Sequence, residues 1–311
     1  DPSKKYITTS QSYHTLEKTI LDTFKKLNVK YLFCPHAIEL EFLKNFYLDD
    51  ILILPYMIYP SITGNKLEKT IFYSFIGNIN YKPVRPTKIR NDICKMKHSD
   101  NCYVKSIDKW HFDDAIYGKQ LGLIKYDKNN DHQKTREKEY SDILAKSLFS
   151  LCPLGIGPNS IRFSESLVFN SIPISISDDL WLPFYLDVDW DNIRINLEES
   201  KIDEISKISL SESKIKKYQQ HILDFSNQYL DTDKFGSQLV KFFEVKNRYT
   251  LLVPWYNITD NLRYQEIHIC LQKNLDNEYI NQIIFFYEVK NKSEIYYQKY
   301  NNPKIKIIPV I

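Results

Sequence analysis

Glycine is scarce in this chain, seven in 311 residues, and arginine is equally rare, seven against thirty-five lysines. So little glycine excludes collagen-like and glycine-rich linker architectures. Five cysteines (Cys34, Cys94, Cys102, Cys152, Cys270) make no C-x-x-C pair and no metal-ligand spacing, which excludes a disulfide scaffold and a zinc ribbon. The expectation is reduced thiols, with Cys94 and Cys102 the pair that could close in an oxidising compartment. No apolar run approaches the ~18 residues of a membrane span. The longest, such as Ile51–Leu54, are strand-sized. Neither sign of charge dominates: 42 basic and 39 acidic residues leave +3, too little to argue for a nucleic-acid partner. The opening Asp-Pro-Ser-Lys-Lys has no initiator Met and no apolar leader core. The expectation is a piece of a longer protein, cytoplasmic by default.

What is present is ordinary for a globular chain, 43% hydrophobic and 26% charged. The lysine, asparagine and isoleucine bias is that of an AT-rich genome, so lysine runs carry little functional weight. The few arginines and glycines are then expected where chemistry or backbone geometry requires them. Thr15–Leu27 carries Leu16, Ile20, Leu21, Phe24 and Leu27 at helical spacing. Val29–Cys34 reads as a buried parallel strand, followed by a helix over Ala37–Phe46 and a strand over Asp50–Leu54. Thr70–Ile76 is a strand, Glu137–Leu151 a helix running into a strand, and Ser160–Asn170 a helix. Ile172–Ser177 is a strand and Leu210–Tyr229 a long amphipathic helix. Such alternation predicts an α/β fold with parallel sheets.

Two linkers are expected, Tyr81–Thr87 and the polar run Lys125–Lys138, the second a hinge or a solvated loop. The resulting division is 1–130, 131–248 and 249–311. The last begins a fresh βαβ unit with strands at Leu251–Pro254, Gln282–Tyr287 and Ile305–Val310, and a helix over Asp260–Lys273.

Chemistry is densest in Cys152–Phe184. A strand enters a Gly/Pro loop at Pro153–Pro158, and a helix begins near Asn159 or Ser160. A Ser or Asn there caps free backbone N–H groups, and a helix N-terminus after such a loop also suits a diphosphate. Arg162 in the first turn could grip phosphate with its fork, and Glu165 could accept from ribose hydroxyls. On the residues alone, a nucleotide site and a plain helix cap remain equal alternatives.

The segment resembles the signature of the exostosin family of glycosyltransferases. The matching positions are Cys152, Pro153, Gly157, Ser160, Arg162, Glu165, Ile172, Pro173, Ile174, Asp178, Asp179, Leu182, Pro183 and Phe184. The likeness runs on through Asp189-Trp190 and Ile193–Ile195. Upstream, Phe75-x-Gly77 followed by Arg85 resembles the family's F-x-G…R element, and Asp50-Ile51-x-Ile53-x-Pro55 resembles one of its strands. Cys34-Pro35-His36 lies where relatives carry a strand-end His. The chain departs from the pattern at three places. Leu154 precedes the loop glycine where relatives have Arg, Ala37 follows His36 where they have Asp, and Asn170-Ser171 replaces a glycine.

The resemblance implies a GT-B-like arrangement, two Rossmann-like domains facing a cleft. It also implies inverting transfer from a UDP-sugar to a glycan hydroxyl, with no obligatory metal or other cofactor. The implied partners are the donor, a glycan acceptor and, in the parent protein, a further glycosyltransferase-like domain begun by the C-terminal segment. Inversion needs a base for the acceptor proton and groups that stabilise the departing diphosphate. The expected diphosphate and donor contacts are Gly157, Ser160, Arg162, Arg85, Asp178 and Asp179, with Glu165 on the ribose. His36 is the first candidate base, and His111, Asp113 and Asp114 are the alternates. The alternative to transfer is a catalytically silent glycan- or nucleotide-binding module of the same fold. Trp110, Trp181 and Trp190 could stack on sugars or belong to the core. Asp178-Asp179 lacks D-x-D spacing, and Asp187-x-Asp189-x-Asp191 lacks the Gly and distal Glu of a calcium loop. No metal site is expected.

Overall fold

The apolar runs become parallel strands, and the runs of helical period become the crossovers between them. The computed structural model describes residues 5–10, 12–47, 50–60, 62, 64–80, 86–107, 131–230, 234–246, 249–255, 261–276, 280–288 and 304–310. The chain parts into two compact units, Asp1–Phe235 and Gly236–Ile311.

The first unit opens with β1 (Tyr6–Thr9), α1 (Lys18–Lys26), β2 (Val29–Cys34), α2 (Glu39–Tyr47) and β3 (Leu52–Pro55). These strands form a parallel sheet in the order β1-β2-β3. Leu32, Cys34, Ala37, Ile51 and Ile53 make its core, and Leu16, Leu21 and Phe24 lay the apolar stripe of the N-terminal helical segment on it. Asn28, at φ 58°, turns the chain from α1 into β2, a conformation that Asn tolerates better than most residues.

Next come β4 (Ile71–Asn78), α3 (Ile89–Lys95), β5 (Tyr103–Ile107), α4 (Asp131–Lys146) and β6 (Ser147–Pro153). They are followed by α5 (Ile161–Val168), β7 (Ile172–Ile176), β8 (Ile195–Leu197) and α6 (Glu212–Tyr229). All five strands are parallel, in the order β5-β4-β6-β7-β8. Numbered within this sheet the order is 2-1-3-4-5, a doubly wound arrangement whose winding reverses between β4 and β6.

Helix α5 is buried from Arg162 to Leu167. It ends in a Schellman motif: the Ser171 N–H donates to Ser166 O at 2.9 Å and the Asn170 N–H to Leu167 O at 3.1 Å. That motif places Asn170 at φ 54°, the left-handed conformation that glycine adopts most readily. Asparagine tolerates that conformation better than most residues. Ser211 caps α6 by accepting from Lys214 N–H, and Ile222, Phe225 and Tyr229 form its buried face.

The sheets do not divide at residue 130. β4 and β5 pair with each other, and β4 pairs with β6, so the five-stranded sheet takes strands from both sides of that expected boundary. The first Rossmann-like half is correspondingly small. The expected linker Lys125–Lys138 is also corrected where it is described, because α4 begins at Asp131. Tyr140, Leu144 and Ala145 bury one face of α4 against Ile62, Ile76 and Phe169. That anchored face carries the charged first turns into solvent as helix.

The second unit contains α7 (Phe235–Lys246, from Gly236 on), β9 (Tyr249–Trp255), α8 (Asn261–Asp276), β10 (Ile280–Glu288) and β11 (Ile305–Val310). Its parallel sheet has the order β11-β10-β9. The units part after the first residue of α7, thirteen residues ahead of the expected 248/249 boundary. Among the described residues no helix is long and apolar enough to cross a membrane.

Candidate functional site

In a doubly wound parallel sheet the crevice at the reversal point, beyond the carboxyl ends of the strands, is where ligands bind. Here that crevice lies between the ends of β4 (Ile76-Gly77-Asn78) and β6 (Pro153-Leu154-Gly155). Arg90 spans it. Its Nε donates to Leu154 O at 3.0 Å and its Nη1 to Asn78 O at 3.0 Å. The guanidinium also borders the glycine loop, since a β-carbon on Gly155 would lie 3.4 Å from Nη2. Among the described arginines, this is the one that touches the loop, and the sequence reading passed over it for Arg85. The available signal was the rarity of arginine together with the F-x-G…R element, which either Arg85 or Arg90 can complete.

The loop after β6 is tight, with Gly155 N–H donating to Gly157 O at 3.0 Å. It meets the three-stranded sheet at its tip, where a β-carbon on Gly157 would lie 2.7 Å from Cγ of His36. The imidazole therefore packs directly on the loop, and only glycine leaves room for it. His36 stands just beyond β2, and its backbone N–H reaches the Cys34 thiol, which burial pushes up to about 11.

The loop delivers the chain to α5, whose N-cap Ser160 makes no side-chain capping bond. Asn159 is 2% exposed, and neither its Oδ1 nor its Nδ2 has a hydrogen-bond partner among the described residues. At the end of the adjacent strand β7, buried Ser177 likewise has an unpartnered Oγ among those residues. Buried polar atoms without partners are costly, and here they gather beside a helix terminus whose N–H groups favour an anion.

Arg162 and Glu165 lie deeper than expected. Arg162 is 6% exposed; its Nη2 donates to Ile76 O, and its guanidinium lies 4.8 Å from the Phe75 ring centroid and 5.5 Å from that of Tyr140. Glu165 is fully buried and accepts from the Tyr140 hydroxyl at 2.7 Å. Burial, and then Glu165, holds the Tyr140 phenol well above its usual range. These contacts engage Nη2 of Arg162 and Oε2 of Glu165, the two residues expected on the phosphate and the ribose. They make the pair braces tying α4 and α5 to the end of β4.

Asp178 is a loop cap. Its Oδ1 accepts from Glu199 N–H at 2.9 Å, its own N–H donates to Glu199 Oε1 at 3.3 Å, and Glu199 Oε2 takes the Thr87 hydroxyl at 3.0 Å. Asp179 beside it is exposed. Asp189 caps a 3-10 turn by accepting from Asp191 N–H and Asn192 Nδ2. Among the described residues no group of three His, Cys, Asp or Glu side chains could hold a metal ion. Trp190 is half-buried against Phe163 and Phe225, and Trp181, also half-buried, stacks on Phe184. A groove of about 640 Å³ lined by Asp191, Lys214, Lys217 and Tyr218 adjoins the start of β8, at the opposite sheet edge from the crevice. Arg85, Trp110, His111, Asp113 and Asp114 lie outside the described residues.

Comparison with known proteins identifies the family. The family model of the exostosin GT47 domain matches residues 44–211, more than half of the chain. A rice (Oryza sativa subsp. japonica) protein named "Probable glucuronosyltransferase" is 37% identical over 86 residues, 28% of this chain and 20% of the relative. The "Probable beta-1,4-xylosyltransferase IRX10" of Arabidopsis thaliana is 36% identical over 86 residues, with the same coverage. A Physcomitrium patens protein, "Probable glucuronosyltransferase 47 A", is 35% identical over 83 residues, 27% of this chain and 18% of the relative. The matched stretch thus spans about a fifth of the length of these relatives.

Proposed function

Because this chain belongs to the exostosin GT47 family, we propose that it is a glycosyltransferase moving a sugar from a UDP-sugar to a glycan hydroxyl with inversion at the anomeric carbon. The similar proteins named glucuronosyltransferase and xylosyltransferase support transfer of a glucuronosyl or xylosyl group. One observation carries the donor site: the uncapped N-terminus of α5, flanked by the unpartnered buried atoms of Asn159 and Ser177, opens at the winding reversal of the sheet.

In this reading the diphosphate lies over Gly155–Gly157 and receives the N–H groups of the first turn of α5 with the Ser160 hydroxyl. Arg90 bridges the two strand ends and adds a positive charge beside the phosphates. As the bond to the sugar breaks, negative charge grows on the leaving phosphate. These fixed donors and the arginine stabilise that charge without having to reorganise. The acceptor hydroxyl attacks from the opposite face and loses its proton to a base. His36 stands at the loop from the facing sheet, and a neutral imidazole can take that proton near pH 7. Arg162 and Glu165 contribute by keeping β4, α4 and α5 in register. The reaction so written requires no metal.

A silent binding module is the second reading, favoured by the buried methyl of Ala37 next to His36 where the family pattern carries an aspartate. Release of UDP from UDP-xylose or UDP-glucuronic acid on addition of an oligosaccharide acceptor separates the two. Acceptor-dependent release that is lost in His36→Ala, with UDP binding retained, supports transfer. UDP binding without any acceptor-dependent release supports the module.

A further inference from the structure

Phenylalanines of the first unit are mostly core: Phe33, Phe75, Phe149, Phe163 and Phe169 are at most 1% exposed. Phe184 is 48% exposed. Its ring stacks on the indole of Trp181, centroids 5.2 Å apart and planes inclined by 22°. Phe42 of α2 leans on both rings, at 5.4 Å and 6.2 Å, and Tyr185 meets Phe184 edge-on at 5.7 Å. The stack is anchored from beneath, because Trp181 packs on the core of the three-stranded sheet and the Tyr185 hydroxyl donates to Pro55 O at 2.9 Å. The result is a rigid aromatic shelf with an open ring, where the hydrophobic effect alone would bury it.

The shelf belongs to the loop that follows β7 and starts with the exposed carboxylates Asp178 and Asp179. The loop of the neighbouring strand β6 carries Ile156, also 48% exposed. Both loops leave the carboxyl ends of their strands, the end of the sheet at which the donor crevice opens. An aromatic face with the exposed Asp179 carboxylate two residues along the same loop matches a ligand with an apolar face and a hydroxyl rim. The axial C–H groups of a pyranose lie on the ring, and its hydroxyls donate to carboxylate oxygens. A carboxylate there disfavours phosphate and uronate groups and so favours a neutral sugar.

Building on the glycosyltransferase reading above, we propose that Trp181 and Phe184 form an acceptor subsite that stacks one neutral pyranose of the glycan, with Asp179 at its rim. The test uses the whole chain and three neutral probes, β-1,4-xylohexaose, cellohexaose and β-1,4-galactohexaose, titrated by calorimetry and by the fluorescence of Trp181. At least one binds and perturbs the fluorescence. Phe184→Ala weakens that binding about tenfold, equivalent to roughly 1.4 kcal/mol. Phe184→Trp restores it, and the thermal shift produced by UDP is the same in both variants. Binding of none of the probes, or equal binding by Phe184→Ala, overturns the subsite. Loss of a concentration-dependent dimer in Phe184→Ala, without any change in sugar binding, also overturns it and assigns the face to a second copy. Sugar binding in a chain that gives no UDP shift keeps the subsite and removes the donor-site reading, so the two failures are distinguishable.

Discussion

His36 and Gly157 are in direct contact across the two sheets of the first unit. The imidazole occupies the space where any larger residue at 157 would put its β-carbon. This contact joins the candidate base to the loop that leads into the N-terminus of α5. Gly157→Ala must therefore displace either the ring or the loop. The expected outcome is a stability loss of about 1–3 kcal/mol with a larger fractional loss of transfer than of UDP affinity. Urea unfolding and parallel binding and transfer assays check it. Unchanged transfer in a folded variant would separate His36 from the reaction.

Arg90 reaches two strand-end carbonyls, Leu154 O and Asn78 O, at the reversal point. Arg90→Ala is expected to weaken UDP binding by about 1.5–3 kcal/mol, the range for hydrogen bonds to charged groups. Arg90→Lys recovers only part of this, because a point charge cannot span both carbonyls. Calorimetric UDP titration of the two variants checks the order wild type, Lys, Ala.

Arg162 and Glu165 share the buried cluster around Tyr140, which feels charge from both. Arg162→Ala leaves the buried Ile76 O without its donor and removes the guanidinium from the Phe75 and Tyr140 rings. It is expected to cost about 1–3 kcal/mol of stability, visible as a fall in the urea midpoint without a change of slope. A folded Arg162→Ala of wild-type stability that had lost UDP binding would instead return the arginine to the diphosphate.

Lys69 donates to Ala145 O and Phe169 O at the ends of α4 and α5, and burial pulls its amine down to about 8 from 10.5. Below about pH 8 the folded and unfolded chains both carry this charge, and the folded one bears its desolvation cost. Between about 8 and 10.5 the unfolded chain holds more protons, so this residue makes stability rise with pH, by at most about 1.4 kcal/mol per unit. Unfolding free energies of the wild type and of Lys69→Met at pH 7, 8 and 9 give that contribution by difference. A difference that does not change with pH contradicts it.

Much of this architecture can be read from pattern alone. Val29–Cys34 is a strand with the bounds its apolar run suggests, and Ile172–Ser177 falls within one residue of β7. Buried parallel strands advertise themselves because both faces must be apolar. Edge strands do not. β5 reads Tyr-Val-Lys-Ser-Ile, half exposed, with Tyr103 and Lys105 both bonded to Glu139. Its sequence carries no continuous apolar run. The glycine loop and the start of α5 were legible because Gly, Pro and Ser punctuate the backbone locally. The depth of Arg162 and Glu165 was not, because charge marks a residue as polar whether it faces a ligand or a buried partner. That choice is made by Phe75, Ile76 and Tyr140, which arrive from β4 and α4.

The most direct test of the central claim is the melting temperature of the chain with UDP, GDP and CMP, with and without Mn²⁺, beside Arg90→Ala. Binding to the folded state raises the melting temperature by mass action. The expected result is a shift with UDP that exceeds those with GDP and CMP, needs no Mn²⁺ and shrinks in Arg90→Ala. No shift with any nucleotide would contradict a nucleotide-sugar site at the start of α5.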